Sequence, residues 1–360
     1  MVIYSFDPAA GRRWIAALAG VRPAFACVLG FTATCLIPGI SAAGLTPEAR
    51  RSTAAGDALM LLRGETSRLP TAPEGYPSPV IISRAVVELL DLPVWVLDAG
   101  LVESCSGAVD LGGAPARCLS SGSALDLAVV EHLFEQGLHW GERLASAGDY
   151  LAIGECVAGG TTSALAVLCA LGYEADGLVN SSHPTCNHDQ KRALVEQARA
   201  RACLSPSASA LEMLAALGDP AQPVIAGMAI AASGRGPVLL AGGTQMLAIA
   251  AVAQHLAEQN GLFWRADRIA VGTTRWVASD PSADAALLAQ RIGVVPLIAS
   301  ELNFACSRFA GLRAYERGYV KEGVGAGGLA IAAELAGLGQ ERLLERIEQL
   351  LVKALTPAVQ

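Results

Sequence analysis

One acid stands directly in front of a glycine cluster near the end of the chain: Glu322 in KEGVGAGG, residues 321–328. A carboxylate can take a proton from a reacting group, and glycines beside it let a ligand approach the backbone. Gly323, Gly325 and Gly328 also match the spacing G-x-G-x-x-G of a dinucleotide-binding turn. That reading fails on context. Such a turn follows an apolar strand and opens a strand–helix–strand unit, whereas the preceding GLRAYERGYVKE carries two arginines, a lysine and two glutamates. Only helical patterns follow it. Residue types alone leave Glu322 as either a catalytic carboxylate or a solvated charge.

Two further glycine turns share one design. DYLAIGECVAGGTTSALAVLCALG (149–172) and PVLLAGGTQMLAIAAVAQHLA (237–257) both run apolar strand, Gly-Gly-Thr, helix. A glycine pair brings backbone N–H groups close to an anion, and the helix N-terminus adds partial positive charge. Gly159, Gly160, Thr161 and Thr162 in the first unit, and Gly242, Gly243 and Thr244 in the second, are therefore candidate phosphate ligands. Turns of this kind also occur with no ligand. Asp98, at the end of PVWVLDAG (93–100), reads either as a turn acid or as part of a site. In SSHPTCNHD (181–189), His183, Cys186, His188 and Asp189 are all zinc-ligand types, but their spacing follows no standard pattern. A polar loop is the better reading, and no metal or cofactor is expected.

The elements that must position these residues read as α/β. The apolar runs 24–31, 93–100, 149–155, 237–244 and 268–274 have the length and composition of buried strands. Helical segments lie between them, such as Ser163–Leu171, Lys191–Ala202 and Met246–Gln259. Alternation at this spacing predicts a three-layer α/β/α fold with a mainly parallel, Rossmann-like sheet, plus a small helical part from the chain ends. Residues 1–360 read as one domain, closed by an amphipathic helix over 340–355. The proline-rich segment 66–79 reads as a surface loop.

Composition supports this and excludes other classes. An apolar fraction of 52% with only 16% charged residues favours a large buried core over disorder. A net charge of -7, with no Lys/Arg run longer than two, argues against nucleic acid as a partner. The apolar stretches 24–44 and 236–254 are broken by prolines, Gly-Gly-Thr or threonines and do not fit membrane spans, so a cytoplasmic protein is expected. The nine cysteines show no C-x-x-C and no disulfide framework.

The ordered motifs resemble the nicotinate-nucleotide–dimethylbenzimidazole phosphoribosyltransferases (CobT-like). GECVAGGTT (154–162) is similar to the family's GEMGIGNTT, and KEGVGAGGLA (321–330) to its GEGTGAALA. GPVLLAGGTQMLAIAA resembles its PVLLDGF segment, VLDAGLV (96–102) its VVDVGV, and GISAAGLTPEARRS (39–52) a GVSxxPxxVT stretch that places Ser41 in the site. The motifs keep family order from about residue 25 to residue 335. Departures mark a divergent branch: FTA (31–33) stands for DHG, Cys156 and Gly160 for Met and Asn, Ala241 for Asp, and Asp284 for the acid of a His-Ser-Ala-Glu stretch.

The resemblance implies transfer of phosphoribose from nicotinate mononucleotide to a benzimidazole-like or purine base, for the lower ligand of a cobamide. It implies Glu322 as general base and Gly159 to Thr162 around the 5′-phosphate, with Gly242, Gly243 and Thr244 second. Glu155 would meet the ribose or positive charge at C1′, and Gly323 and Gly325 would give the substrate room. Lys191 matches a family lysine near the phosphate, with a solvated lysine on a helix's first turn as the alternative. A homodimer is implied too. No two Asp/Glu residues are adjacent, which agrees with a donor that needs no metal–pyrophosphate clamp. The other reading is a non-catalytic nucleotide- or phosphate-binding protein on the same fold.

Overall fold

The computed structural model describes residues 2–65, 69–72 and 74–355. Eight strands form one sheet: β1 Val2–Phe6, β2 Pro23–Leu29, β3 Val94–Asp98, β4 Val109–Asp110, β5 Tyr150–Cys156, β6 Val238–Ala241, β7 Ile269–Thr274 and β8 Leu297–Ser300. Their order is β1-β8-β7-β6-β5-β2-β3-β4, and all neighbours are parallel except β1 and β8. β2, β5, β6, β7 and β8 are buried at every residue, so the sequence shows continuous apolar runs instead of alternation.

Helices cover both faces. One carries Leu127–Leu144, Gly160–Ala170, Ala221–Ser233 and Thr244–Asn260. The other carries Arg50–Arg63, Val80–Leu90, Ala326–Leu335 and Gln340–Leu355. The last of these buries Leu343, Ile347, Leu350 and Leu351, and its Arg346 pairs with Glu88 of the Val80 helix. The chain ends thus supply helices, Pro8–Ala17 and Gln340–Leu355, and the N-terminal end also adds β1 as an edge strand.

The five expected strands fall on β2, β3, β5, β6 and β7. The helices begin earlier than their composition suggests, at Gly160, His188 and Thr244. Gly159 is left-handed at φ 82 and caps the first of them, so Gly160, Thr161 and Thr162 form its opening turn. Among the described residues no helix is long and apolar enough to cross a membrane. Segment 236–254 instead forms β6 and the start of the Thr244 helix, and segment 24–44 forms β2 and the loop beyond it.

The chain runs outward through β2, β3 and β4, then returns to β5 on the other side of β2 and continues through β6, β7 and β8. Strand order therefore reverses between β2 and β5. Loops at the carboxyl ends of the strands diverge there and leave a crevice, the position where open parallel sheets bind ligands.

Candidate active site

Three helix N-termini meet at that crevice, beyond β5, β6 and β7: those of the Gly160, Thr244 and Ala326 helices. The loop before the Ala326 helix holds Glu322. Val320, Lys321 and Val324 all lie at positive φ, 67°, 66° and 54°. Left-handed backbone costs a non-glycine residue roughly 1–2 kcal/mol, so three within five positions require strong restraint from the surroundings. The restraint is visible. Val320 N–H donates to Ser182 O at 3.0 Å, Thr274 Oγ1 to Lys321 O at 2.7 Å, Val324 N–H to Glu155 O at 3.0 Å, and Ser83 Oγ to Val324 O at 2.8 Å. Lys321 is buried, and its Nζ donates to His183 O at 2.8 Å and pairs with Asp280.

Held this way, the Glu322 carboxylate accepts four hydrogen bonds. Oε2 takes Thr274 N–H at 2.9 Å and Thr273 Oγ1 at 3.1 Å. Oε1 takes the N–H groups of Gly323 and Gly327, each at 3.1 Å. Burial pushes its pKa up to about 7 despite those donors, which favour the charged form. Glu322 is thus not a solvated charge. Of the four donors only the Thr273 hydroxyl can reverse its bond and accept from a protonated Glu322.

The glycines around Glu322 serve a different end from the one expected. Gly323 does line the cavity. Gly325 does not: it caps the Ala326 helix at φ 76, and a Cβ there would sit 2.9 Å from the Phe25 ring. A Cβ on Gly327 would come within 2.1 Å of the Thr273 carbonyl carbon, and one on Gly328 within 2.4 Å of Ala241 Cβ. These glycines let the helix lie directly on β6 and β7, which brings its N-terminus to the carboxylate. Ala241, where the resembled family has Asp, is small because the helix backbone occupies the space above it.

The cavity opens to solvent and is lined by residues from all of these loops. Of the sequence candidates, Ser41, Glu155, Gly159, Gly160, Thr161, Gly243, Thr244, Glu322 and Gly323 line it. Five do not. Thr162 is fully buried behind the first turn. Gly242 N–H is tied to Gly272 O at 2.9 Å. Gly325 packs as described. Asp98 Oδ1 accepts Gly100 N–H at 2.9 Å and Leu101 N–H at 2.8 Å, so it is the turn acid of the two readings. Lys191 is fully buried and donates to Asn180 O, which overturns its reading as a solvated lysine. Burial lowers its pKa to about 8. It supports the Asn180–Ser182 wall from behind.

Several lining residues escaped sequence reasoning. Asn180, Ser181 and Ser182 face the cavity, as does Gln245, whose amide fills the space a Cβ on Gly160 would need. The Gln245 Nε2 and Asn180 Oδ1 atoms are buried without hydrogen-bond partners. The segment read as a surface loop contributes Pro70, Thr71, Ala72, Ser78 and Pro79 to the wall; Thr66, Ser67, Arg68 and Pro73 lie outside the described residues. It is drawn inward by a Thr71–Pro77 bridge and by Tyr315 OH, which donates to Pro77 O at 2.7 Å. Asp57 is a further acid in the cavity wall. Its signal was available: it stands among alanines and leucines on the apolar side of AAGDALML.

Among the described residues the acids of the site have no cation paired with them: Lys321, which also lines the cavity, is held by Asp280. Burial raises Glu155 to about 8, helped by the negative Asp219 and by Glu322 and Asp57. Burial raises Asp57 to about 7. Glu155 turns to the opposite face of β5 from Cys156, toward Asp219, while Asp57 accepts the Cys156 thiol at 3.3 Å. The cavity lining therefore combines amide and hydroxyl donors suited to an anion with acids suited to positive charge. The His183–Asp189 loop is structural: His183 bonds Gly39 O, His188 bonds Ser282 O, Cys186 Sγ reaches Asp280, and Asp189 pairs with Arg192. Among the described residues no group of three metal-ligating side chains converges. Asp284 caps helix Ala285–Ile292 through Leu287 N–H, and the neighbouring Asp280 holds Lys321.

The fold is that of CobT. The crystal structure of CobT from Thermus thermophilus superposes with a TM-score of 0.59 over 93% of this chain and 92% of its own, at 21% identity. The family model described as "Phosphoribosyltransferase" matches residues 84–269, just over half of the sequence. UPF0284 protein glr4139 of Gloeobacter violaceus is 73% identical over 348 residues, 97% of this chain and 93% of its own. UPF0284 protein sll1500 of Synechocystis sp. is 52% identical over 350 residues, with 95% and 94% coverage. The chain belongs to this phosphoribosyltransferase family, together with the UPF0284 proteins it is closely related to.

Proposed function

We propose that the protein transfers phosphoribose from nicotinate mononucleotide to a nitrogenous base, benzimidazole-like or purine, as a homodimer that supplies the lower ligand of a cobamide. The observation that carries this reading is a carboxylate raised to about 7 in the lining of a cavity that two glycine–threonine helix N-termini also line. The 5′-phosphate lies on Gly159, Gly160, Thr161, Gly243 and Thr244. A ring nitrogen of the acceptor attacks C1′ as the C1′–N bond to nicotinate breaks, with the bonding pair leaving on nicotinate. Inversion gives the α-ribotide. The proton on the acceptor's other ring nitrogen passes to Glu322. Glu155 meets the ribose or the positive charge that develops at C1′.

One observation favours a second reading, a nucleotide-binding protein without turnover: all four acceptor positions of Glu322 are already engaged within the protein. The two readings separate when nicotinate mononucleotide is incubated with a panel of bases and α-ribotide and nicotinate are assayed. Both predict binding of the mononucleotide, and only the first predicts products.

The pH dependence follows from Glu322. A general base must be ionised, so kcat/KM should rise with pH and level off above an apparent pKa of about 7. A profile flat from pH 5 to 8, at full rate, would contradict the assignment.

A further inference from the structure

We infer that Asp57 selects the acceptor, taking a hydrogen bond from an N–H or O–H on an edge of the base other than the one that meets Glu322. The acceptor class is then an aminopurine or a hydroxybenzimidazole, not a base with a wholly apolar edge. This rests on the phosphoribosyl-transfer reading above.

Asp57 lies mid-helix, 3% exposed, and lines the cavity. Its Oδ2 accepts the Cys156 thiol, and the Ser78 hydroxyl also bonds the carboxyl. Its Oδ1 is buried and has no partner. A buried carboxyl oxygen without a donor is costly, and the surrounding cations are committed elsewhere. Arg50 donates to Ala43 O at 2.7 Å and to Cys35 O at 2.6 Å, and Lys321 is held by Asp280 and His183 O. Nor can the nearby Thr53 hydroxyl serve, since it donates to Ala49 O at 3.2 Å. The wall beside Asp57 is small and apolar, with Ala42, Ala43, Pro70, Ala72 and Pro79. These side chains accept a flat ring and supply no donor, and the hydroxyls of Thr53 and Ser78 beside them are already engaged. The ring must bring the donor itself, or Oδ1 stays unpaired in the complex.

The test compares matched bases that differ by one donor: adenine against purine, and 5-hydroxybenzimidazole against benzimidazole. Their binding is measured by calorimetry with nicotinate mononucleotide present, alongside kcat/KM. At pH 8 or above, where the Asp57 carboxyl is ionised, wild type should prefer the donor-bearing member of each pair by at least about 10-fold, the effect of one hydrogen bond to a charged group. Asp57→Leu should bring each preference to within about 3-fold by weakening only the donor-bearing member, and Asp57→Asn, which keeps an acceptor oxygen, should fall between. Equal use of both members by wild type, or an equal loss for both in Asp57→Leu, would overturn the assignment. If Asp57→Leu does not fold, the wild-type ratios and Asp57→Asn still decide. Binding preferences without turnover would sink the transfer reading and leave Asp57 supported; turnover without preference would do the reverse.

Discussion

Glu322→Gln lowers turnover with nicotinate mononucleotide and any accepting base by about 10³-fold, while mononucleotide affinity stays within about 3-fold. The first effect follows from basicity: an amide cannot take the acceptor's proton. The second follows from geometry, because the proposed phosphate ligands, Gly159 to Thr161 with Gly243 and Thr244, belong to other loops. Glutamine also puts an N–H group where two donors already point, at Thr273/Thr274 or at Gly323/Gly327. A melting curve therefore accompanies the kinetics. Glu322→Asp supplies the control, since it keeps the charge and shortens the reach by one methylene. It should retain more activity than the glutamine variant. Full activity in Glu322→Gln would show that the base lies elsewhere.

Gly327→Ala is the second large effect, and it acts on position instead of chemistry. The added Cβ meets backbone, the Thr273 carbonyl carbon at 2.1 Å and Thr274 N at 2.3 Å, and it comes within 2.5 Å of Glu322 Oε2. Nothing flexible can yield, so the Ala326 helix must move off β7. Overpacking of this kind costs about 3 kcal/mol, and the roughly 1 kcal/mol that alanine gains in helix propensity offsets only part of it. Displacing the helix also displaces the carboxylate, and a shift of about 1 Å costs on the order of 10²-fold in rate. Denaturant unfolding and steady-state kinetics read the two losses. Gly339→Ala, where a Cβ would meet nothing within 4 Å, is the control for space: it should lose no more than about 1 kcal/mol, the cost of alanine at the position before a helix, and keep full activity. A Gly327→Ala protein of native stability and activity would refute the close packing on which the site depends.

The parts of the fold that were legible in the sequence are those in which one segment carries its own signal. β2, β5, β6 and β7 are buried on both faces and read as apolar runs, and the C-terminal helix shows its spacing directly. β1 is half-buried along its length and β8 has four residues, so their antiparallel pairing has no local signature. Glu322 was legible because it precedes glycines, but the work of those glycines was not. Their neighbours are Phe25, Ala241 and Thr273, between about 50 and 300 positions away in sequence, and only the folded chain brings them together. Lys191 misled for a related reason: the helix His188–Ala202 is charged and largely exposed, and only the narrow stripe of Lys191, Val195 and Ala198 turns inward. Asp57 was overlooked although Ala54, Met60 and Leu61, three or four positions away, already mark its side of the helix as apolar.

The most direct test follows nicotinate and ribotide in one reaction of wild-type protein with nicotinate mononucleotide and adenine or 5-hydroxybenzimidazole. Phosphoribosyl transfer through Glu322 predicts that the two products appear in equal amounts, with the α configuration at C1′, and that Glu322→Gln forms neither at a comparable rate. Mononucleotide that binds but releases no nicotinate above the Glu322→Gln background, with these or any other base, would contradict it.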